Sequence, residues 1–187
     1  MKGGVSDYPV EVIRTARLWE ILRLQEIEVA AGEPFRELGM LSVADDDPPS
    51  SECLMEAIER EMCWVYETRT AGVVAYLAAI GLDASLHIEQ VSVDPAFARL
   101  RYGARLIEHA EQDAAARGYP LLTLTTFTEV PWNAPYYSSL GFREHLNQEL
   151  EEVLSHEDSF DAEDWPRIGM AREVSAAHRV LAASGTA

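Results

Sequence analysis

The stretch from Leu86 to Phe127 constrains the fold more than any other part of the chain. Leu86–Val93 reads as a strand that stops at Asp94-Pro95. A short arginine-bearing turn follows and opens into a helix from about Tyr102 to Arg117. That helix sets Leu106, Ile107, Ala110 and Ala114 on one face, with Glu108, Glu111, Gln112 and Asp113 opposite. Gly118 closes it, Pro120 lies just beyond, and Leu121–Phe127 is again rich in β-formers. A strand that ends where a helix begins collects unpaired backbone N–H groups at the positive end of the helix dipole, and that suits a pyrophosphate.

The remaining segments extend this unit into an α/β domain with a mixed sheet. Val10–Arg14 alternates as a short strand, and Thr15 caps a helix with Leu18, Ile21, Leu22, Gln25 and Val29 at helical spacing, stopping at Gly32. Pro34–Met40 starts another short helix, and Ser51 caps one running to Arg60. Cys63–Thr68 and Val73–Ile80 read as a hairpin across Arg69-Thr70-Ala71-Gly72. Pro131 opens a helix ended by Gly141, and Phe142–Gln148 and Arg167–Glu173 read as the last strands. With 187 residues the chain fits one domain at residues 9–175, a loose N-terminus at 1–8 and a tail at 176–187.

Charge narrows the partners. Fifteen Lys and Arg stand against 32 Asp and Glu, a formal charge of -17, which repels nucleic acid and anionic membranes and attracts cations. Glu149–Asp164 holds eight carboxylates and neither Lys nor Arg; it is either a solvated solubility segment or a funnel for a cationic amine. No apolar run reaches the roughly 20 residues of a membrane span, and the N-terminus reads as no secretion signal. Cys53 and Cys63 are too few for a disulfide framework, so the expectation is two reduced thiols in a cytoplasmic protein. The five histidines show no metal-binding spacing, and the chain has no phosphate loop of the G-x-x-x-x-G-K type, so no metal is expected.

Val91-Ser92-Val93-Asp94-Pro95, and Gly103 eight residues past Pro95, resemble the acetyl-CoA motif of the Gcn5-related N-acetyltransferase (GNAT) family. Val130-Pro131-Trp132-Asn133-Ala134-Pro135-Tyr136-Tyr137 with Leu140-Gly141-Phe142 is similar to that family's next motif in one bacterial branch. The likeness spans roughly residues 10–174 and is strongest from Glu89 to Phe142. It implies a single-domain acyl-CoA N-acyltransferase fold, a mixed and mostly antiparallel sheet flanked by helices. One position departs. The Q/R-x-x-G-x-G/A pattern places Ala98 first and Arg101 where its first glycine belongs. Arginine at an ordinary right-handed position keeps its N–H available, and Arg99, Arg101 and Arg105 add charge for phosphate oxygens.

The resemblance implies acetyl transfer from acetyl-CoA to a primary amine of a small molecule or peptide. Its CoA-binding residues fall on Val91, Ser92, Val93, Arg99, Leu100, Arg101, Tyr102, Gly103, Ala104, Asn133 and Tyr137. Val91 and Val93 would pair with pantetheine as an added strand. Tyr137 falls beside the sulfur as the proton donor to the leaving thiolate; the alternative is a packed helical aromatic. Glu89 is the candidate base, read as sharing a strand face with His87, Val91 and Val93, and His87 or Glu129 could serve instead. Phe35, Arg36 and Trp19 are candidate acceptor-site walls, or simply core. Arg101 favours a second reading, a catalytically silent acyl-CoA sensor or interaction module. A soluble structural domain that binds neither ligand is a third. A homodimer through sheet edges or C-terminal strands is open.

Overall fold

Seven strands form one sheet because the expected β-formers find partners in the order β1-β2-β3-β4-β5-β7-β6. In the computed structural model, residues 11–157, 165–175 and 178 are described. In chain order these are β1 (Glu11–Thr15), α1 (Ile21–Arg36), α2 (Leu41–Ala44), α3 (Ser51–Glu59), β2 (Cys63–Thr68), β3 (Gly72–Gly81), β4 (Ser85–Val93), α4 (Tyr102–Arg117), β5 (Leu121–Phe127), α5 (Ala134–Ser139), β6 (Arg143–Glu144), α6 (Gln148–Glu157) and β7 (Arg167–Glu173). Only β4 and β5 pair in parallel; every other neighbouring pair is antiparallel. The expected hairpin turns at Gly72, whose φ of 68° is the left-handed conformation glycine adopts without strain.

The sheet is covered on both faces. Leu24 and Ile27 of α1 and Leu54, Ala57 and Ile58 of α3 pack on Val65, Tyr76 and Ala78 of one face. Leu106, Ile107, Ala110 and Ala114 of α4 cover Leu77, Leu86, Ile88, Leu122 and Leu124 on the other, joined by Ala134 of α5. The anticipated inward stripe of α4 is therefore the buried one. Glu111, read as outward, is 7% exposed. It survives there because Arg172 of β7 pairs with it at 2.8 Å and the Ser175 N–H donates to it at 2.9 Å.

Three local readings change. α1 passes through Gly32 and Pro34 and ends at Arg36, where the missing proline N–H costs one bond near a helix end. Its buried stripe is Leu24 and Ile27, while Leu18, Leu22 and Val29 stay exposed. Ser50, rather than Ser51, caps α3 by accepting the Cys53 N–H at 3.2 Å. The strand expected over Phe142–Gln148 shrinks to Arg143–Glu144, because Asn147 accepts the Leu150 N–H at 2.9 Å and starts α6 at Gln148. The N-terminal segment and part of the acidic run lie outside the described residues. The described part of that run, α6, packs on β5 and β7, and Glu149 accepts the Asp83 N–H at the β3–β4 turn.

Candidate active site

A gap opens where β4 and β5 part company. Their parallel ladder runs from Ser85 with Leu121 to Ile88 with Leu124 and goes no further, although β4 continues to Val93 and β5 to Phe127. The separation begins at a bulge. Opposite β3, Ala79 pairs with Ile88 and Ala78 with Gln90, so Glu89 is the extra residue. That single insertion shifts the pleat. Leu86, Ile88, Val91 and Val93 all pack toward α4, whereas Gln90 and Ser92 bond to Glu28 of α1. The expected face shared by His87, Glu89, Val91 and Val93 is thus broken, and Glu89 is exposed at the bulge.

At the end of β4 the chain enters α4 through a loop in an unusual conformation. Arg99 has φ 65° and Arg101 φ 64°, both left-handed, and Arg101 is the N-cap of α4 without a side-chain cap bond. The right-handed reading of Arg101 is overturned, because the turn into α4 demands a positive φ whichever residue fills it. Strain of this kind, about 1–3 kcal/mol per residue, persists where surroundings enforce it and gathers at ligand-binding loops. The uncapped first turn leaves the N–H groups of Tyr102, Gly103 and Ala104 for an anion. Gly103 lies against β4 and α5: a Cβ there would sit 3.6 Å from Val93 and 3.7 Å from the Tyr136 hydroxyl.

Side chains around this loop divide into those available and those occupied. Leu100 is exposed. Tyr102 stacks on Tyr66 with ring centroids 4.0 Å apart, and its hydroxyl donates to Glu11, so only its backbone faces the loop. Arg105 is held by Glu11 at 2.8 Å on the β1 side of α4, which removes it from the expected arginine trio. Glu11 itself sits below the usual carboxylate range through bonds from Tyr66 and Arg105. Tyr136 brings its hydroxyl to Gly103 at the end of this loop.

Tyr137 sits beneath the gap on the α4 side, 6.0 Å from the Phe142 ring and packed on the core. Burial pushes its hydroxyl well above the ordinary range, the nearby Tyr136 and Glu28 push the same way, and Arg167 opposes them. Asn133 is half-buried at the N-cap of α5, with no side-chain cap bond and its carbonyl accepting from the Tyr137 N–H at 2.9 Å. His87 lies in the paired part of β4, away from the gap. It is buried, bonded to Thr123 at 3.0 Å and pushed by burial down to about 4, so it is a weak base. Glu129 is exposed in the loop before α5.

Opposite Tyr137, on the α1 side, is a carboxylate that sequence reading passed over. Glu28 accepts from the Tyr76 hydroxyl at 2.7 Å, from the Ser92 hydroxyl at 2.7 Å and from the Gln90 amide. Burial raises its pKa, and those three bonds resist the rise. Ser92, expected at the cofactor, spends its side chain here. Further along α1, Phe35 packs edge-on against Phe127 at 6.0 Å and Trp132 at 5.5 Å. Arg36 instead pairs outward with Asp45 at 2.7 Å, and Trp19 is exposed. Among the described residues no cluster of His, Cys, Asp and Glu could hold a metal, and no helix is long and apolar enough to cross a membrane.

The family model that matches residues 18–142 is that of the acetyltransferase (GNAT) family. The chain belongs to the GNAT family. Solved structures share the GNAT fold over nearly the whole domain. The ribosomal-protein-S18-alanine N-acetyltransferase of Escherichia coli is 20% identical, with TM-score 0.62 over 88% of this chain and 94% of its own. Ard1 of Thermoplasma volcanium is 15% identical, with TM-score 0.65 over 89% and 99%. The PaiA N-acetyltransferase of Thermoplasma acidophilum, in complex with coenzyme A, is 12% identical with TM-score 0.62 over 87% and 98%. This GNAT chain is therefore an acyl-CoA-dependent acetyltransferase with a single open mixed sheet.

Proposed function

We propose that this protein moves an acetyl group from acetyl-CoA to a primary amine of a small molecule or peptide, with the thioester lying in the gap between β4 and β5. The observation that carries this reading is the end of the ladder at Ile88 and Leu124, on a sheet whose α4 face also carries Tyr137. The residues present fit the co-substrate. The free edge of β4 from Gln90 to Val93 suits an amide-bearing pantetheine as an extra strand, with Val91 and Val93 as its partners. The loop of Arg99, Leu100 and Arg101, continued by the N–H groups of Tyr102, Gly103 and Ala104, suits the pyrophosphate. Acetyl-CoA supplies an activated acyl group and a thiolate as leaving group.

The chain's own groups then have defined tasks. Tyr137, kept neutral by burial, donates to the departing sulfur. Glu89, exposed on the bulge, accepts the ammonium proton through water. Asn133 lies one helical turn before Tyr137 and orients the same ligand end. The left-handed conformation of Arg99 and Arg101 supports an intact phosphate loop and so weighs against a domain that binds neither ligand; thiol release separates the enzyme from the silent sensor.

The test is release of free thiol from acetyl-CoA with a panel of primary amines, beside CoA binding by calorimetry. Tyr137→Phe should lower kcat by about 100-fold or more while leaving CoA affinity within about twofold of wild type. Unchanged kcat would remove Tyr137 from the reaction. Absence of CoA binding to the wild-type protein would overturn the whole reading.

A further inference from the structure

The gap lies between Tyr137 on one face of the sheet and Glu28 on the other. Glu28 is tied to β4 only where that strand has left β5, through Gln90 and Ser92. A carboxylate offers about four acceptor positions. Tyr76 and Ser92 share Oε2, whereas among the described residues Oε1 takes Gln90 alone, so Oε1 has capacity for one more donor. The groups that bond or sense this carboxylate include Tyr76 from β3, Gln90 and Ser92 from β4, Asp46 from the loop after α2 and Tyr137 of α5, and none of these is a cation. Asp46 adds negative charge at Glu28, while the guanidinium of Arg167 stands at the Phe127 ring, 4.7 Å from its centroid.

Seven residues on, the same side of α1 presents Phe35, about 10 Å further along the axis. Phe35 and Trp132, backed by the buried Phe127 with Arg167 over its ring, form an edge-to-face aromatic ledge at the C-terminal end of β5, with Trp132 exposed at its rim. Carboxylate and ledge stand at two points of one wall, and a molecule spanning them carries an ammonium at one end and an aromatic ring at the other.

We infer that Glu28 is the specificity-determining residue for the acceptor: it holds the ammonium of an arylalkyl primary amine whose ring rests on Phe35 and Trp132. The inference deepens the function proposed above and depends on it. Glu28 orients the amine toward the gap and favours charged over neutral acceptors; the aromatic ledge favours rings over polar chains. The competing role is a tether, in which Glu28 merely fastens α1 to β4.

Calorimetry on the full chain saturated with CoA separates these roles, using phenethylamine and its neutral analogue phenethyl alcohol as probes. Wild type should bind the amine saturably and prefer it to the alcohol by tenfold or more, the scale of about 1.4 kcal/mol. Glu28→Gln, which keeps the shape, should lose about 30-fold or more in amine affinity, hold alcohol and CoA affinity within about twofold, and abolish the preference. Glu28→Asp keeps the charge one methylene back and should retain the preference with weaker binding, which covers the case of an unstable glutamine variant. Equal amine affinity in Glu28→Gln and wild type, or no saturable phenethylamine binding to CoA-loaded wild type, would overturn the inference. CoA failing to bind at all would instead overturn the function on which it rests.

Discussion

Replacing Arg101 by glycine and by alanine gives two proteins whose order of stability depends on the backbone alone. Both variants lose the guanidinium, so charge cancels from the comparison. At φ 64° and ψ 19°, Arg101 is in the left-handed region, where an L-residue pays roughly 1–2 kcal/mol and glycine does not. Glycine gives back about 0.5–1 kcal/mol through the greater freedom of its unfolded chain. Glycine should therefore exceed alanine by up to about 1.5 kcal/mol. For a domain of this size each 1 kcal/mol is about 2–4 °C in Tm, measurable by scanning calorimetry without ligand. A right-handed Arg101 would invert the order, since only the entropic cost of glycine would then remain. Arg101→Gly melting below Arg101→Ala would refute both the loop conformation and the claim that a strained arginine stands in for glycine. CoA affinity should fall equally in the two variants. An exposed charge pair is worth about 0.2–1 kcal/mol, hence at most about fivefold, and the loss should fade as salt rises.

The buried pair of Glu111 and Arg172 gives a stability prediction far from the chemistry. With only a few per cent of Glu111 exposed, Glu111→Ala leaves a guanidinium unpaired under α4 and should cost about 3–5 kcal/mol, read as a lower denaturation midpoint with unchanged CoA affinity. His87 makes stability depend on pH with a definite sign. Its folded pKa is depressed to about 4 from 6.5, so the unfolded chain binds the extra proton and the native state loses ground as pH falls. Between pH 8 and 5 the wild type should lose about 2 kcal/mol more than His87→Gln; parallel pH curves for the two proteins would disprove the assignment.

The parts of the fold written in local chemistry were legible. Leu121–Phe127 and Arg167–Glu173 form strands with the anticipated ends, and α4 buries the anticipated stripe and stops at the left-handed Gly118. So too was the approach of Gly103 to Val91 and Val93 at the start of α4, where the hydroxyl alongside is that of Tyr136. The surroundings of Glu28 were not, because on a mostly polar helix it looks solvated until its partners are known. Those partners stand 48, 62 and 64 residues away. Arg101 was misread for a related reason: its conformation is imposed by where β4 must end and α4 begin, and arginine has no preference that announces it.

The bulge at Glu89 connects these misreadings. Strand alternation from His87 predicts that odd-numbered residues share a face all the way to Val93, and pairing with β3 decides otherwise by accommodating one extra residue. A one-residue slip exchanges the two faces of every residue beyond it. Without the insertion, Gln90 and Ser92 would turn into the apolar layer under α4, and Val91 and Val93 would turn toward Glu28. The carboxylate would then lose two of its three donors while staying partly buried, a cost of about 1–3 kcal/mol for each polar group left unsatisfied. The same insertion frees the β4 edge from β5. One residue thus parts β4 from β5 and supplies the donors that make a carboxylate tolerable beside the gap, so the proposed donor and acceptor sites both trace to a single irregularity in the sheet.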